Sequence, residues 1–486
     1  QMAYVYPAQL QAPEAAYAAI IAHNSLGSPA PEDQLAMIDS QLSFTRVFVA
    51  DQRAPQVLGA AASALLELAM NERAAQAAAQ LVGWQPAPAE EVLLPAWLVL
   101  GHAEYARSDY VVAEEAYRGA LALFAEGDPR RGETLESLAA AIYRQGELAA
   151  SAGENALAAE HFVRVMRAAP ASGVRLNAQY DAASNYLLAG DYVQGNALLV
   201  DFRQRYPKHP LSSGIGAQLV QNYEMNGEWR AAAVELDSIS AEGDDPAVQR
   251  EALYLAADYY QRAGETDLAI ARYRHYAHTW KSPLAPRMEA MLTLADLYAQ
   301  QSDTARRHFW LNAMADAHDA AGEEASDRSL YLAASSVSEL ADSYYLQYGD
   351  IPLTEPLPQS LRRKREALAL TVGAYERVNA YGVQAFGTRA TFRLGEVYRQ
   401  LSQALLASPR PAGLDALALE QYEILLEEQA WPFEEKALAI HEANARRAWD
   451  GLFDPWIEQS FTALAELMPA RWGKREQALT LSGEIR

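Results

Sequence analysis

Tyr186, Tyr223, Tyr260 and Tyr298 follow one another at intervals of 37, 37 and 38 residues, and Gly190, Gly227 and Gly264 each stand four residues beyond the corresponding Tyr. A period of this size constrains a chain more than its composition does, because one supersecondary unit must recur and present the same faces to its neighbours. Leu176 to Pro207 shows one unit in full: Ala182, Ala183 and Tyr186 share a helical stripe, Gly190-Asp191 interrupts it, and Leu199 and Phe202 form a second stripe before Pro207. The order returns as Leu219, Val220, Tyr223, Gly227, Ala232 and Leu236, and again as Ala256, Ala257, Tyr260, Gly264, Ala269, Tyr273 and Tyr276. Each helix-turn-helix leaves an apolar face that only another such pair covers, so the pairs must stack into an all-α solenoid.

Trp97-Leu98-Val99-Leu100-Gly101, followed by Ala113, Tyr117 and Ala120, resembles the W-x-x-L-G signature of tetratricopeptide (TPR) repeats with their small and aromatic second-helix positions. Glu104 departs from the pattern, standing where that family has Tyr, with Tyr105 beside it. Gly146, Gly153, Ala158, Phe162 and Pro170 form a further unit, and Met291, Leu294, Ala295 and Tyr298 begin another whose second helix lies around Arg306 to Met314. The resemblance covers roughly residues 90 to 320. It implies a right-handed superhelix of TPR-like helix-turn-helix repeats.

On this reading residues 1–90 hold degenerate N-terminal helical repeats, with helices over Glu14 to Ala22, Glu32 to Phe44, Pro55 to Met70 and Glu72 to Leu81, and residues 91–347 form the solenoid. Pro352, Pro356 and Pro358 make 348–361 a linker. Residues 362–486 restart the pattern with Leu394, Gly395 and Tyr398, and end in a Trp-rich helix pair. That pair is expected as Phe433 to Leu452 followed by a helix that Asp454-Pro455 opens and Met468-Pro469 closes. A solenoid must close its exposed end, so a terminal cap is the plain reading of Trp431, Trp449, Trp456 and Trp472, and a docking surface the alternative.

Lys and Arg number 40 against 63 Asp and Glu, a formal charge of −23. This argues against nucleic acid or an anionic membrane surface as partner and favours a basic or neutral protein. The absence of Cys excludes thiolate zinc sites, disulfides and cysteine nucleophiles. No apolar run reaches the roughly 18 residues of a spanning helix, so no direct membrane insertion is expected. The chain opens Gln1-Met2-Ala3-Tyr4 without a basic and then apolar leader, so any signal peptide or lipid-bearing Cys is expected to lie outside the sequence given.

Phosphate-loop, dinucleotide, serine-elbow and zinc-protease motifs are absent, so neither enzymatic activity nor a cofactor is expected. His441-Glu442 is followed by Ala445 where a zinc motif needs a second His, which leaves His441 as a solvated helical residue. His275 and His278 stand at i, i+3 without a carboxylate at matching spacing, and no metal is expected there either. Glu114-Glu115, Asp244-Asp245, Glu323-Glu324 and Glu434-Glu435 diverge by about 100° along a helix and read as solvated faces. Arg362-Arg363-Lys364-Arg365 sits at a helix start, where the dipole disfavours cations, so pairing within the molecule or solvation must compensate it.

The expected function is therefore protein recognition. If Ala256, Ala257 and Tyr260 mark the stripe facing the partner helix, Tyr254 and Asp258 point well over 90° away from it, with Tyr180, Ser184, Gln221 and Asp296 at equivalent positions and Glu224 and Glu289 on or beside the same side. In a TPR-type solenoid that side lines the concave groove, which should be acidic, carry two tyrosines and take a basic extended segment of a protein partner.

Phe202-Arg203-Gln204-Arg205-Tyr206-Pro207-Lys208-His209-Pro210 resembles the F-x-x-R-Y-P-x-x-P segment of bacterial envelope repeat proteins, including outer-membrane assembly lipoproteins and the periplasmic coordinator of the Tol-Pal system. The stretch from Trp431-Pro432-Phe433-Glu434-Glu435-Lys436 to Ala443-Asn444-Ala445-Arg446-Arg447 resembles repeat proteins of envelope motor and gliding-motility complexes. These resemblances imply a periplasmic or outer-membrane-associated scaffold in a multiprotein envelope complex. The alternatives are a scaffold for exopolysaccharide export and a superhelical peptidoglycan-active enzyme, the latter needing a lysozyme-like domain that the repeat-like C-terminal residues do not supply.

Overall fold

The structure, a computed structural model, describes residues 2–5, 7–24 and 31–474. Among them the chain forms twenty-three α-helices, three 3-10 turns and no strand. It divides into two compact units, Gln1–Glu235 and Leu236–Arg486. In the first unit Ala12–Asn24 pairs with Pro31–Val47, Ala54–Glu67 with Asn71–Val82, Glu90–Ala106 with Tyr110–Leu123, Arg130–Ser151 with Asn155–Ala168, and Arg175–Leu188 with Tyr192–Arg205. Ile215–Met225 follows, and the division falls within Trp229–Glu242. In the second unit Pro246–Arg262 pairs with Thr266–Thr279, Leu284–Gln300 with Thr304–Asp319, Asp327–Gly349 with Leu357–Ala380, and Gln384–Leu406 with Ala416–Arg446, before Pro455–Leu467 and Pro469–Trp472. Within each unit successive pairs stack, which makes the architecture an all-α solenoid of TPR-like pairs.

One turn builds most of these pairs. The carbonyl of Tyr186 accepts from the amide of Asp191, that of Tyr223 from Glu228, that of Tyr260 from Glu265 and that of Tyr298 from Asp303, at 2.8–2.9 Å. Leu65, Glu104 and Ala149 do the same for Met70, Asp109 and Glu154. This six-to-one bond closes a helix through a left-handed residue one position earlier, where Gly190, Gly227 and Gly264 hold φ of 82°, 72° and 76°. Asp109, Asp191 and Asp303 then cap the second helix by accepting from the amide three residues on. Ala69, Ser108 and Ser302 take the left-handed place in three turns, with φ of 55°, 67° and 59°, and carry the strain that glycine avoids.

Inside a pair, the two helices approach through a small residue. A Cβ on Gly101 would stand 2.6 Å from the ring of Tyr117, and one on Gly146 would stand 2.7 Å from Phe162; each ring follows sixteen residues later. Ala183 and Ala257 precede the buried Leu199 and Tyr273 by the same spacing. Trp97 of the signature lies over Gly119, where an added Cβ would meet its ring at 2.6 Å. Glu104, the departure from the family pattern, is buried and held by Arg107 at 2.8 and 3.0 Å.

The same rule corrects the reading of His441. Its imidazole is fully buried, and a Cβ on Gly395 would stand 2.5 Å from Nε2, so His441 occupies the place of Tyr117 or Phe162 in the last pair. Sequence spacing hides this, because the longer helices move the ring to 46 residues after its glycine. Glu114 is likewise buried instead of solvated. Gln145 donates to it at 2.7 Å, and Arg118 and Arg164 pair with it from its own helix and the next pair. Burial opposes its ionisation, yet the bonds from Arg164, Gln145 and Arg118 hold its pKa below the ordinary carboxylate value.

The C-terminal helices also differ from expectation. Ala416–Arg446 runs unbroken through Pro432 because Ala430, Phe433 and Ala437 pack into the core on both sides of it, and one missing amide bond does not outweigh that packing. Asp454 does cap Pro455–Leu467, accepting from Trp456 and Ile457. The helix after the Pro-rich loop starts at Leu357, so Pro358 lies in its first turn, where proline is tolerated. Of the basic run, Lys364 turns inward: its Nζ donates to the carbonyls of Tyr348 and Ile351 at 3.1 and 2.8 Å and stands 4.4 Å from the Tyr348 ring. It thereby satisfies the end of the preceding helix, and burial holds its pKa below the usual lysine value.

Three substitutions test this account. Gly101→Ala should lower stability by about 1–3 kcal/mol through overpacking, whereas Gly373→Ala, in a helix interior with open space around it, should raise it by about 0.5–1 kcal/mol. Ser302→Gly should stabilise by about 1 kcal/mol through relief of the left-handed strain. Chemical denaturation of the three variants against the parent measures all of these.

Candidate functional site

First helices of successive pairs stand side by side, and so do second helices. Tyr143 and Asp181 join two first helices, while Arg203–Glu235 in the first unit and Asp237–Arg272 in the second join second helices. The first-helix side is therefore the face on which the groove residues were expected.

In the first unit Tyr180 is half-buried, edge-on to Phe202 with centroids 5.7 Å apart, and Ser184 donates its hydroxyl to the Tyr180 carbonyl at 3.0 Å. Gln221 and Glu224 are exposed on Ile215–Met225. The strongest feature of this face was not among the expected residues. A cavity of about 590 Å³ is bordered by Tyr110, Tyr143, Glu147, Asp181 and Asn185. The Tyr143 hydroxyl donates to Asp181. Burial raises the Asp181 pKa above its ordinary value, the Tyr143 bond opposes this, and the nearby Glu147 adds to it. Burial and the same carboxylate push the Tyr143 hydroxyl up as well. Arg144 borders the same cavity and pairs with Glu147 at 2.6 Å, so the charge of Glu147 is already met and Asp181 is the acid at which an incoming cation would act.

In the second unit Tyr254 is half-buried, edge-on to Tyr273 and Tyr276 at 5.7 and 5.2 Å, so its ring faces are partly committed to packing. Asp258 pairs with Arg262 at 2.8 Å, Glu289 pairs with Arg328 at 2.9 Å, and Asp296 is exposed. Residues that the repeat pattern did not mark extend this face. Glu339 pairs with Arg307, and Asp342 accepts from Arg389 and, at 2.7 Å, from the Tyr375 hydroxyl. Desolvation raises the Glu339 pKa; Arg307 opposes the rise and the fields of Asp296 and Asp342 add to it. Further along, the Arg393 guanidinium lies 4.5 Å from the Tyr345 ring and 5.6 Å from Trp456. Trp456 thus packs on this face, while Trp431 and Trp449 are exposed.

The signal that could have found Asp181 and Tyr143 is their separation of 38 residues, one repeat, on adjacent first helices. Glu339 and Asp342 were hidden by a change of period: Tyr345 and Gly349 repeat the Tyr-Gly spacing, but 47 residues after Tyr298 instead of 37 or 38, in the 23-residue helix Asp327–Gly349.

No family model matches the chain, and neither does any curated protein. Solved structures resemble it with little sequence in common. A tetratricopeptide repeat protein from Parabacteroides merdae is 13% identical with a TM-score of 0.24, covering 58% of this chain and 99% of its own. Naa15/Naa10 bound to HypK-THB is 14% identical with a TM-score of 0.28, covering 97% and 69%. The TPR domain of P58(IPK) is 11% identical with a TM-score of 0.22, covering 80% and 98%.

The raised pKa of Asp181 carries a sign. An acid whose folded pKa lies above its unfolded value adds stability only at low pH, and that contribution is lost as pH rises through the folded pKa. Asp181→Asn should therefore melt at the same or a higher temperature than the parent at pH 7. Its advantage should vanish on acidification towards the ordinary Asp value of 3.8. Melting curves across that range measure the difference.

Proposed function

We propose that this chain is a non-catalytic scaffold that binds protein partners, and that the first-helix face of its repeats takes a basic, extended segment. The observation that carries this reading is Asp181: a carboxylate held partly dehydrated against the Tyr143 hydroxyl in an open cavity, where Arg144 pairs with Glu147 and leaves Asp181 to meet an incoming cation. In the second unit the first-helix face carries Tyr254, Asp258, Glu289 and Asp296, with Glu339 and Asp342, most of these acids already beside an arginine; in the first unit it carries Tyr180, Ser184, Gln221 and Glu224. The net charge of −23 adds long-range attraction for such a segment. A periplasmic setting in a multiprotein bacterial envelope complex rests on the resemblance of the stretches 202–210 and 431–447 to envelope repeat proteins.

The test is a pull-down from envelope fractions, followed by affinity measurement with the recovered partner. Affinity should fall with added salt, since exposed charges are screened over about 8 Å at physiological ionic strength. It should also fall as pH drops and Asp181 takes up a proton. Asp258→Lys combined with Asp296→Lys should weaken binding by about tenfold or more with helicity unchanged. Undiminished affinity in that double variant removes the groove from the account.

A further inference from the structure

Ala416–Arg446 is 31 residues long, about 46 Å, and is covered unequally along its length. Its later half is enclosed: Ala437, His441, Asn444 and Ala445 are buried, and Asn444 donates to Ser460 of Pro455–Leu467. Its earlier half packs on one side only, through Leu426 and Ala430, the latter in a cluster with Leu353, Leu401 and Leu405. On the opposite side Leu417, Ile424 and Trp431 follow one another at intervals of seven residues and are 65%, 51% and 63% exposed. At 100° per residue these three lie about 140–180° from Leu426, so they form one stripe facing away from the core. Scattered exposed apolar residues need no explanation, but three at one heptad position give a single apolar row, a seam along which another helix can pack, the alternate row here being taken by Glu420 and Glu427.

The charges along this seam say what kind of helix fits. Glu420 and Glu427 flank the stripe on one side and Glu428 on the other, and Glu435 continues it. Among the described residues only Glu423 of this acidic stretch enters an ion pair, with Arg410 at 3.6 Å. A second copy of the chain would set these carboxylates against their own equivalents, which repel. We propose that the face Leu417–Ile424–Trp431 docks an amphipathic helix of another protein whose apolar seam is bordered by lysine or arginine. The contact spans two heptads, about 21 Å. It is independent of the first-helix groove.

The probe is a synthetic three-heptad peptide with leucine at the seam and lysine at its borders, compared with a shuffled peptide of the same composition and with a peptide carrying glutamate in place of lysine. The full chain should bind the lysine peptide at least about tenfold more tightly than the shuffled one. Leu417→Ser, Ile424→Ser and Trp431→Ser together should erase that preference with helicity unchanged, since all three side chains are exposed. Glu420→Lys, Glu427→Lys and Glu428→Lys together keep the seam and should transfer the preference to the glutamate peptide. Asp258→Lys with Asp296→Lys should leave it intact, which separates this site from the groove. Equal affinity for ordered and shuffled peptides, or a preference that survives the serine variant, overturns the proposal. So does sedimentation showing a dimer that the serine variant dissociates, which would assign the seam to a second copy.

Discussion

A ring that sits where a first helix has no side chain is the contact on which the rest of the molecule depends. Tyr117 against Gly101 and Phe162 against Gly146 let two helix backbones come together at a distance that a β-carbon would not allow. Close approach fixes the rotation of both helices, and with it the face each offers to the next pair. Once those faces are set, first helices must lie beside first helices and second beside second, as Tyr143–Asp181 and Arg203–Glu235 do. His441 against Gly395 extends the arrangement to the last pair with an imidazole in the ring's place.

Charge is organised around this packing. Acids that the packing buries have arginine beside them: Glu104 has Arg107, Glu114 has Arg118 and Arg164, and Glu396 has Arg399 with His441 3.3 Å away. Arginine suits these places because its planar fork binds both carboxylate oxygens while its stem reaches solvent. Burial opposes the ionisation of Glu396, but its bonds to His441 and Arg399 keep its pKa below the ordinary carboxylate value. Breaking such a pair costs more than the pair contributes, since the remaining charge stays dehydrated. On the first-helix face Asp258, Glu289, Glu339 and Asp342 also have arginine beside them, whereas along 416–435 only Glu423, among the described residues, enters an ion pair.

The sequence set out one side of the first helices as the candidate face. A stripe that marks the packed side of a helix also marks the opposite side, which is how Tyr254, Asp258 and Asp296 were placed together. Their partners were not legible. Arg262 was one turn away, but the arginine that pairs with Glu289 is Arg328, 39 residues on and in the next pair. Nor could spacing show that Tyr254 leans edge-on against Tyr273 and Tyr276, which decides how much of its ring is free.

What the sequence by itself determined is the local and periodic part: helices ending in a left-handed turn, an aspartate to start the next, and a small residue sixteen positions before a bulky one. Those features depend on backbone conformation and on neighbours within one pair, and both are written at fixed intervals along the chain. Only the tertiary structure decided which polar groups are dry. Glu114 and His441 look like solvated residues in sequence, and Lys364 belongs to a run that sequence leaves open between internal pairing and solvation; each is buried by a helix that arrives from elsewhere in the chain. Burial is a property of what covers a residue, and for these three the cover comes from other helices, as do Gln145 and Arg164 beside Glu114, while only Arg118 lies on Glu114's own helix.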